Sequence, residues 1–272
     1  MGGAAGNTWG ISGPTFLLAY LVLATAVWVA GARERRALAD VGADRAAGDL
    51  AAHPYRVAHL NGGPELAVYS ALSAMHLAGT IVTAGRGSVQ AVGRPGPEAD
   101  PLERAVHTVA AGPVATRRVQ FQRPVQAGLR AIEDDLVAAG LLLSAEQRRR
   151  IREVGWWMAA VAALGLVRVL AGIAAARPVG YLVLALAGVA GVALYQLTRA
   201  PRRTRAAEDA LSRLRREHHA LSPDQRPDWA VSGPAGAALG VGMFGTGALW
   251  AADPTFADEL AVQKVAGSTS AR

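Results

Sequence analysis

Arg168 is the side chain in this sequence that most asks for a chemical explanation. It stands within GLVRVLAGIAAARPVGYL, residues 165–182, where every other residue before Arg177 is apolar or glycine. If the run crosses a bilayer from Val154, a rise of about 1.5 Å per residue puts Arg168 roughly 20 Å in and about 10 Å from the far edge. Insertion scales charge about 2.5–3.5 kcal/mol for an arginine in such a place. Snorkelling to the outer surface is one remedy, although the Cα–Cβ bond starts out tilted toward the helix N-terminus, the cytosolic end in this orientation. The neighbouring apolar runs hold no Asp or Glu, so a partner would be a carbonyl, the hydroxyl of Tyr20 or Thr25, or a lipid phosphate. Arg168, with Arg177 at the rim, is therefore the candidate intramembrane polar or lipid-headgroup site. Packing into the bundle interior and plain snorkelling are weighed equally.

Other reactive residue types do not assemble into a site. Glu103 and His107 lie one helical turn apart and His218 and His219 are adjacent, but no second ligand pair accompanies them and HExxH is missing, so no metal is expected. Asp134 and Asp135 are neighbours on a helix and point apart. Gly85-Arg86-Gly87 lacks a phosphate-loop lysine, and Ser70 and Ser73 lack the turn that exposes a nucleophile. With no cysteine there is no disulfide, thiolate nucleophile or zinc–thiolate chemistry. No catalytic residue and no cofactor are expected.

The elements that would position Arg168 are apolar runs flanked by arginine. The chain of 272 residues is 51% hydrophobic and carries a formal charge of +7, almost wholly from arginine. Residues 15–31 form a charge-free run preceded by no Lys or Arg and followed by Arg33, Arg35 and Arg36, the reverse of a signal peptide. The positive-inside rule places residues 1–14 outside. Residues 154–175 and 179–197 form a second and third span in a tight hairpin, with Arg148, Arg149, Arg150 and Arg152 before it and Arg199, Arg202, Arg203 and Arg205 after it. Both flanks are then cytosolic. Trp156, Trp157, Tyr181 and Tyr195 stand where interfacial aromatics belong. Residues 235–252 are short and glycine-rich, with Gly236 and Gly240 in a G-xxx-G pair, and fit either a fourth span or a re-entrant segment. The tail, 253–272, follows.

Residues 32–153 read as a cytosolic domain with a basic stalk. Gly63-Pro64-Glu65 starts a helix, Thr80 to Val92 reads as two strands around a Gly-Arg-Gly turn, and Asp100-Pro101-Leu102-Glu103 caps a second helix through Ala111. A further helix covers Pro124 to Ala139, and DLVAAGLLL echoes SAMHLAGTIV as helix, glycine and strand. Ser144-Ala145-Glu146-Gln147 caps a helix that nothing breaks before Pro178. In the basic segment 198–234, Thr204 to Leu221 forms an amphipathic helix that lies on the inner leaflet or covers the domain.

NTWGISGPTFLLAY at the start, with the arginine span and RPVGYL in the hairpin, resembles an uncharacterised family of actinobacterial membrane proteins. The matching positions are Asn7, Thr8, Trp9, Gly10, Ile11, Arg168, Gly172, Arg177, Pro178 and Gly180. The resemblance implies a plasma-membrane protein and no particular activity.

The sequence thus predicts a mainly α membrane protein with three or four transmembrane helices, N-terminus outside, and a small cytosolic α+β, winged-helix-like domain. It is expected to scaffold or signal through protein contacts and membrane lipids. One alternative is a membrane-tethered nucleic-acid-binding regulator using Arg117, Arg118, Arg123 and Arg130, against which the interleaved acids Glu98, Asp100, Glu103, Glu133, Asp134 and Asp135 argue. Another is a membrane enzyme acting on lipid or envelope precursors.

Overall fold

The structure, a computed structural model, describes residues 13–39, 50–174, 180–198 and 203–262. In chain order the elements are α1 (Gly13–Ala39), α2 (Pro54–Leu77), β1 (Ile81–Thr83), β2 (Ser88–Ala91), α3 (Pro101–Val109), β3 (Val114–Ala115), α4 (Thr116–Val119), α5 (Arg123–Ala138), α6 (Ala145–Ala174), α7 (Gly180–Thr198), α8 (Arg205–Glu217), α9 (Trp229–Phe244), α10 (Thr246–Ala252) and α11 (Pro254–Glu259). The chain is mostly helical with one small antiparallel sheet of order β1-β2-β3. It divides into two compact units, one built on α1, α6 and α7, the other on the remaining elements.

In the first unit, Thr15–Arg33 of α1 and Ala145–Ala174 of α6 are long and apolar enough to cross a membrane, while α7 carries a shorter apolar stretch, Gly180–Tyr195. Ser144 and Gln147 cap α6 reciprocally: the Gln147 amide donates to Ser144 Oγ at 3.2 Å, and the Ser144 amide donates to Gln147 Oε1 at 2.8 Å. A small interior of Tyr20, Ala24, Met158, Val161, Val189 and Ala193 joins the three helices. Large apolar side chains point outward instead, including Trp157 (69% exposed) and Tyr181 (83%), as lipid-facing residues would.

The second unit is discontinuous in sequence. Its core joins Leu66, Leu72 and Met75 of α2 to Ile81 and Val89 of the sheet, Leu102 and Val106 of α3, Val125 and Leu129 of α5, and Val241, Leu249 and Phe256 of the last three helices. Asp100, Asp228 and Asp253 cap α3, α9 and α11 by accepting amides of the first turn. The turn between β1 and β2 carries Gly85 and Gly87 at positive φ.

Several expectations change here. The domain read as 32–153 loses 143–153 to the first unit and gains the chain from residue 203, because α9 buries itself against α2. The apolar run 235–252 becomes most of α9 together with α10, and its hydrophobicity is satisfied in this core. The glycine of the G-xxx-G pair at position 240 faces Leu221 and Trp229, within the unit. α8 covers the domain, packing Ala207, Leu211 and Leu214 on Leu136, Leu141 and Leu142. The strand expected after α5 is a single bridge between Leu142 and Arg203, so the echoed helix-strand module is not repeated. The helix foreseen from Gly63 does start there, at Pro64, and what the sequence did not announce is the helical segment from Pro54 that meets it at the Gly63 break.

Candidate functional site

In the first unit Arg168 is 6% exposed, so its side chain packs among helices. Its Cζ lies 4.8 Å from the ring centroid of Phe16 on α1. Phe16 stacks on Tyr20 with centroids 6.1 Å apart. Tyr20 in turn lies against Gly165, where an added Cβ would stand 2.7 Å from the tyrosine oxygen. Gly165 therefore admits the ring that places Phe16 beneath the guanidinium. A desolvated cation over an aromatic face is stabilised by about 2 kcal/mol, which offsets part of the cost of burying the guanidinium. Sequence reasoning considered hydroxyls and carbonyls and missed this aromatic face. Thr25 instead borders an apolar groove of about 340 Å³ with Trp28, Met158, Gly188 and Val192. Gly172, one turn beyond Arg168, is buried, and Gly180 is exposed at the start of α7. Asn7, Thr8, Trp9, Gly10, Ile11, Arg177 and Pro178 lie outside the described residues.

A polar site with room for a ligand lies in the second unit, where two broken helices meet. Gly63 (φ 78°, ψ −164°) interrupts α2 before Pro64, and Gly245 (φ 73°, ψ −165°) separates α9 from α10. These conformations are open to glycine and strained for other residues. A break leaves carbonyls without their helical donors, and side chains supply them. Asn61 Nδ2 donates to the carbonyls of Gly242 (3.0 Å) and Met243 (2.9 Å). Arg215 Nε donates to Met243 at 2.9 Å and its Nη2 to Asn61 Oδ1 at 2.8 Å. Arg203 donates to the Asn61 carbonyl.

Beside this node opens a cleft of about 550 Å³, whose polar wall is Asn61, Glu65, Tyr69, Arg117 and Thr246. Burial pushes the Tyr69 hydroxyl above the ordinary tyrosine value; the Glu65 carboxylate beside it adds to this, and Arg117 offsets part. Burial beside a carboxylate thus favours the neutral phenol at Tyr69. One carboxylate, one guanidinium and one hydroxyl donor make a recognition surface. Of these residues only Arg117 was singled out from the sequence, as a possible nucleic-acid contact; the Gly63-Pro64 pair beside the cleft was the available signal for the rest.

The remaining candidates are engaged structurally. Glu103 accepts from the Tyr55 hydroxyl, and His107 Nε2 lies 3.4 Å from the Val92 carbonyl, so the two do not converge on a ligand. His218 faces its own helix at Leu214. Asp135 pairs with Arg56 at 2.7 Å. Ser70 donates to the Ala238 carbonyl and Ser73 to that of Tyr69, both buried. The Gly85-Arg86-Gly87 turn docks on the end of α11, with Arg86 on Asp258 and the Gly87 amide on the Glu259 carbonyl. Among the described residues no group of His, Asp or Glu could hold a metal ion. Comparison with protein-family models, with curated proteins and with solved structures finds no match to this chain.

Proposed function

We propose that this chain is a multi-pass plasma-membrane protein, N-terminus outside, that spans with residues 15–31, 154–175 and 179–197. Its second unit lies in the cytosol and scaffolds or signals by holding a protein partner in the cleft. The observation carrying this reading is the junction where the chain leaves that unit and returns to it. Leu142 and Arg203 are bridged, the Thr204 hydroxyl donates to the Gly140 carbonyl at 3.0 Å, and Arg203 reaches Asn61 at the cleft wall. Within the second unit the junction is thus tied, through Arg203 and Asn61, to the wall of the cleft. The helix-then-hairpin order behind the winged-helix-like reading, and the resemblance carried by NTWGI, support the same assignment.

The cysteine-free background allows a direct test. Single cysteines at Ser12, Ser88, Arg177 and Ser268, labelled in intact cells with an impermeant thiol reagent, should react at 12 and 177 and stay silent at 88 and 268. Labelling at 88 would put the domain outside and end the proposal. Thr246→Trp, which fills the cleft, should leave that pattern unchanged while abolishing complementation of a deletion strain; full complementation would remove the cleft from the reading.

A further inference from the structure

Arg203 and Arg215 approach Asn61 from opposite ends of one segment, and both bond only neutral acceptors. Arg203 holds the Asn61 carbonyl; Arg215 holds Asn61 Oδ1 and the Met243 carbonyl. Among the described residues neither has a carboxylate within ion-pair distance. Glu208 acts on Arg203 only at longer range, and against the stronger effects of burial and of the Arg215 charge. Burial likewise weighs against the charged form of Arg215. Each guanidinium carries five N–H groups in a planar fork, so most of Arg203's donors and part of Arg215's are still available. Two half-buried like charges on one neutral residue are an arrangement that an oxyanion would neutralise and bridge.

We infer that Arg203 and Arg215, held together by Asn61, form a receptor for a phosphate-type oxyanion, supplied by an anionic phospholipid headgroup or by free phosphate. The position in the chain favours contact with a membrane surface. Arg203 follows the end of α7 at Thr198 within the basic run Arg199, Arg202, Arg203 and Arg205, and juxtamembrane basic residues are attracted to anionic lipid. The lipid source rests on the membrane reading above; the oxyanion site itself does not. Occupancy would tighten the hold on Asn61, and through it on the break at Gly63 and the cleft wall.

The test uses the full-length chain in nanodiscs of phosphatidylcholine alone, of phosphatidylcholine with phosphatidylglycerol, and of phosphatidylcholine with inorganic phosphate added at constant ionic strength. Amide hydrogen exchange over residues 57–66 is the readout. Exchange should slow when phosphatidylglycerol is present. If added phosphate slows it as well, the ligand is the oxyanion from either source; if only the lipid does, it is the headgroup. Arg203→Gln and Arg215→Gln should each lose the response, and Arg213→Gln, an exposed arginine on the same helix, should keep it. Arg215→Lys keeps the charge but loses the fork and should weaken the response about tenfold, which serves if a glutamine variant does not fold. Equal exchange in all three conditions, or equal loss in Arg213→Gln, would overturn the inference. Failure of the chain to enter nanodiscs would instead count against the membrane reading, and phosphate added in solution would still test the site.

Discussion

Burial first, and then the Glu103 carboxylate, hold the Tyr55 phenol protonated well beyond the range in which a free tyrosine ionises. In the unfolded chain the same group loses its proton near pH ~10. Above that value the folded state binds more protons than the unfolded one, so stability is fully present below it and falls as pH rises. Urea unfolding of the domain should show this alkaline loss, and Tyr55→Phe should flatten it while costing about 1–3 kcal/mol near neutral pH, where Glu103 loses its donor. Gly165 allows a sharper test in the other unit. Gly165→Leu would occupy the place of the Tyr20 ring, so disulfide trapping between cysteines placed at Ala24 and Val161, which share that interior, should be lost. Phe16→Leu should weaken it less, since it removes the aromatic face but keeps the bulk.

Helix ends written in short-range code were readable; helix partners were not. Asp100-Pro101 and the Ser144 box announce themselves because the capping acceptor and its amide are separated by only two or three residues. The β1–β2 hairpin was legible for the same reason, from two glycines bracketing its turn. The Glu103 of the expected capping box instead took the Tyr55 hydroxyl, a partner far away in sequence and therefore invisible there. The segment before Gly63 was missed because Gly63-Pro64 reads equally well as a helix start and as a bend inside one. The run 235–252 was ambiguous because a helix buried in a core and a short membrane segment share one composition, and only the opposing face of α2 decides between them. That pairing makes a prediction. An added Cβ at Gly242 would stand 3.0 Å from the Pro54 carbonyl oxygen and 3.2 Å from the Ala58 nitrogen, so Gly242→Val should destabilise the domain by about 1–3 kcal/mol in urea. Gly63→Ala should cost a similar amount, about 1–3 kcal/mol, through backbone strain alone.

The second unit is assembled from two stretches of chain, 50–142 and 203–262, that meet at the Leu142–Arg203 bridge. Closing that gap with a short Gly/Ser linker in place of residues 143–202, and removing the chain before residue 50, should give a water-soluble domain with a single cooperative urea transition, because the ends to be joined are already neighbours and a short closure costs little entropy. A molten product without dispersed amide resonances would show that the core depends on the removed helices. The same discontinuity sets the order in which a ribosome can complete the protein. α2 emerges early, but its chief partner α9 is translated only after both helices of the α6–α7 hairpin, so the nascent α2 must wait with its apolar face uncovered until the hairpin has been made. A message truncated just after codon 203 would therefore present the quality-control proteases with an unfinished domain.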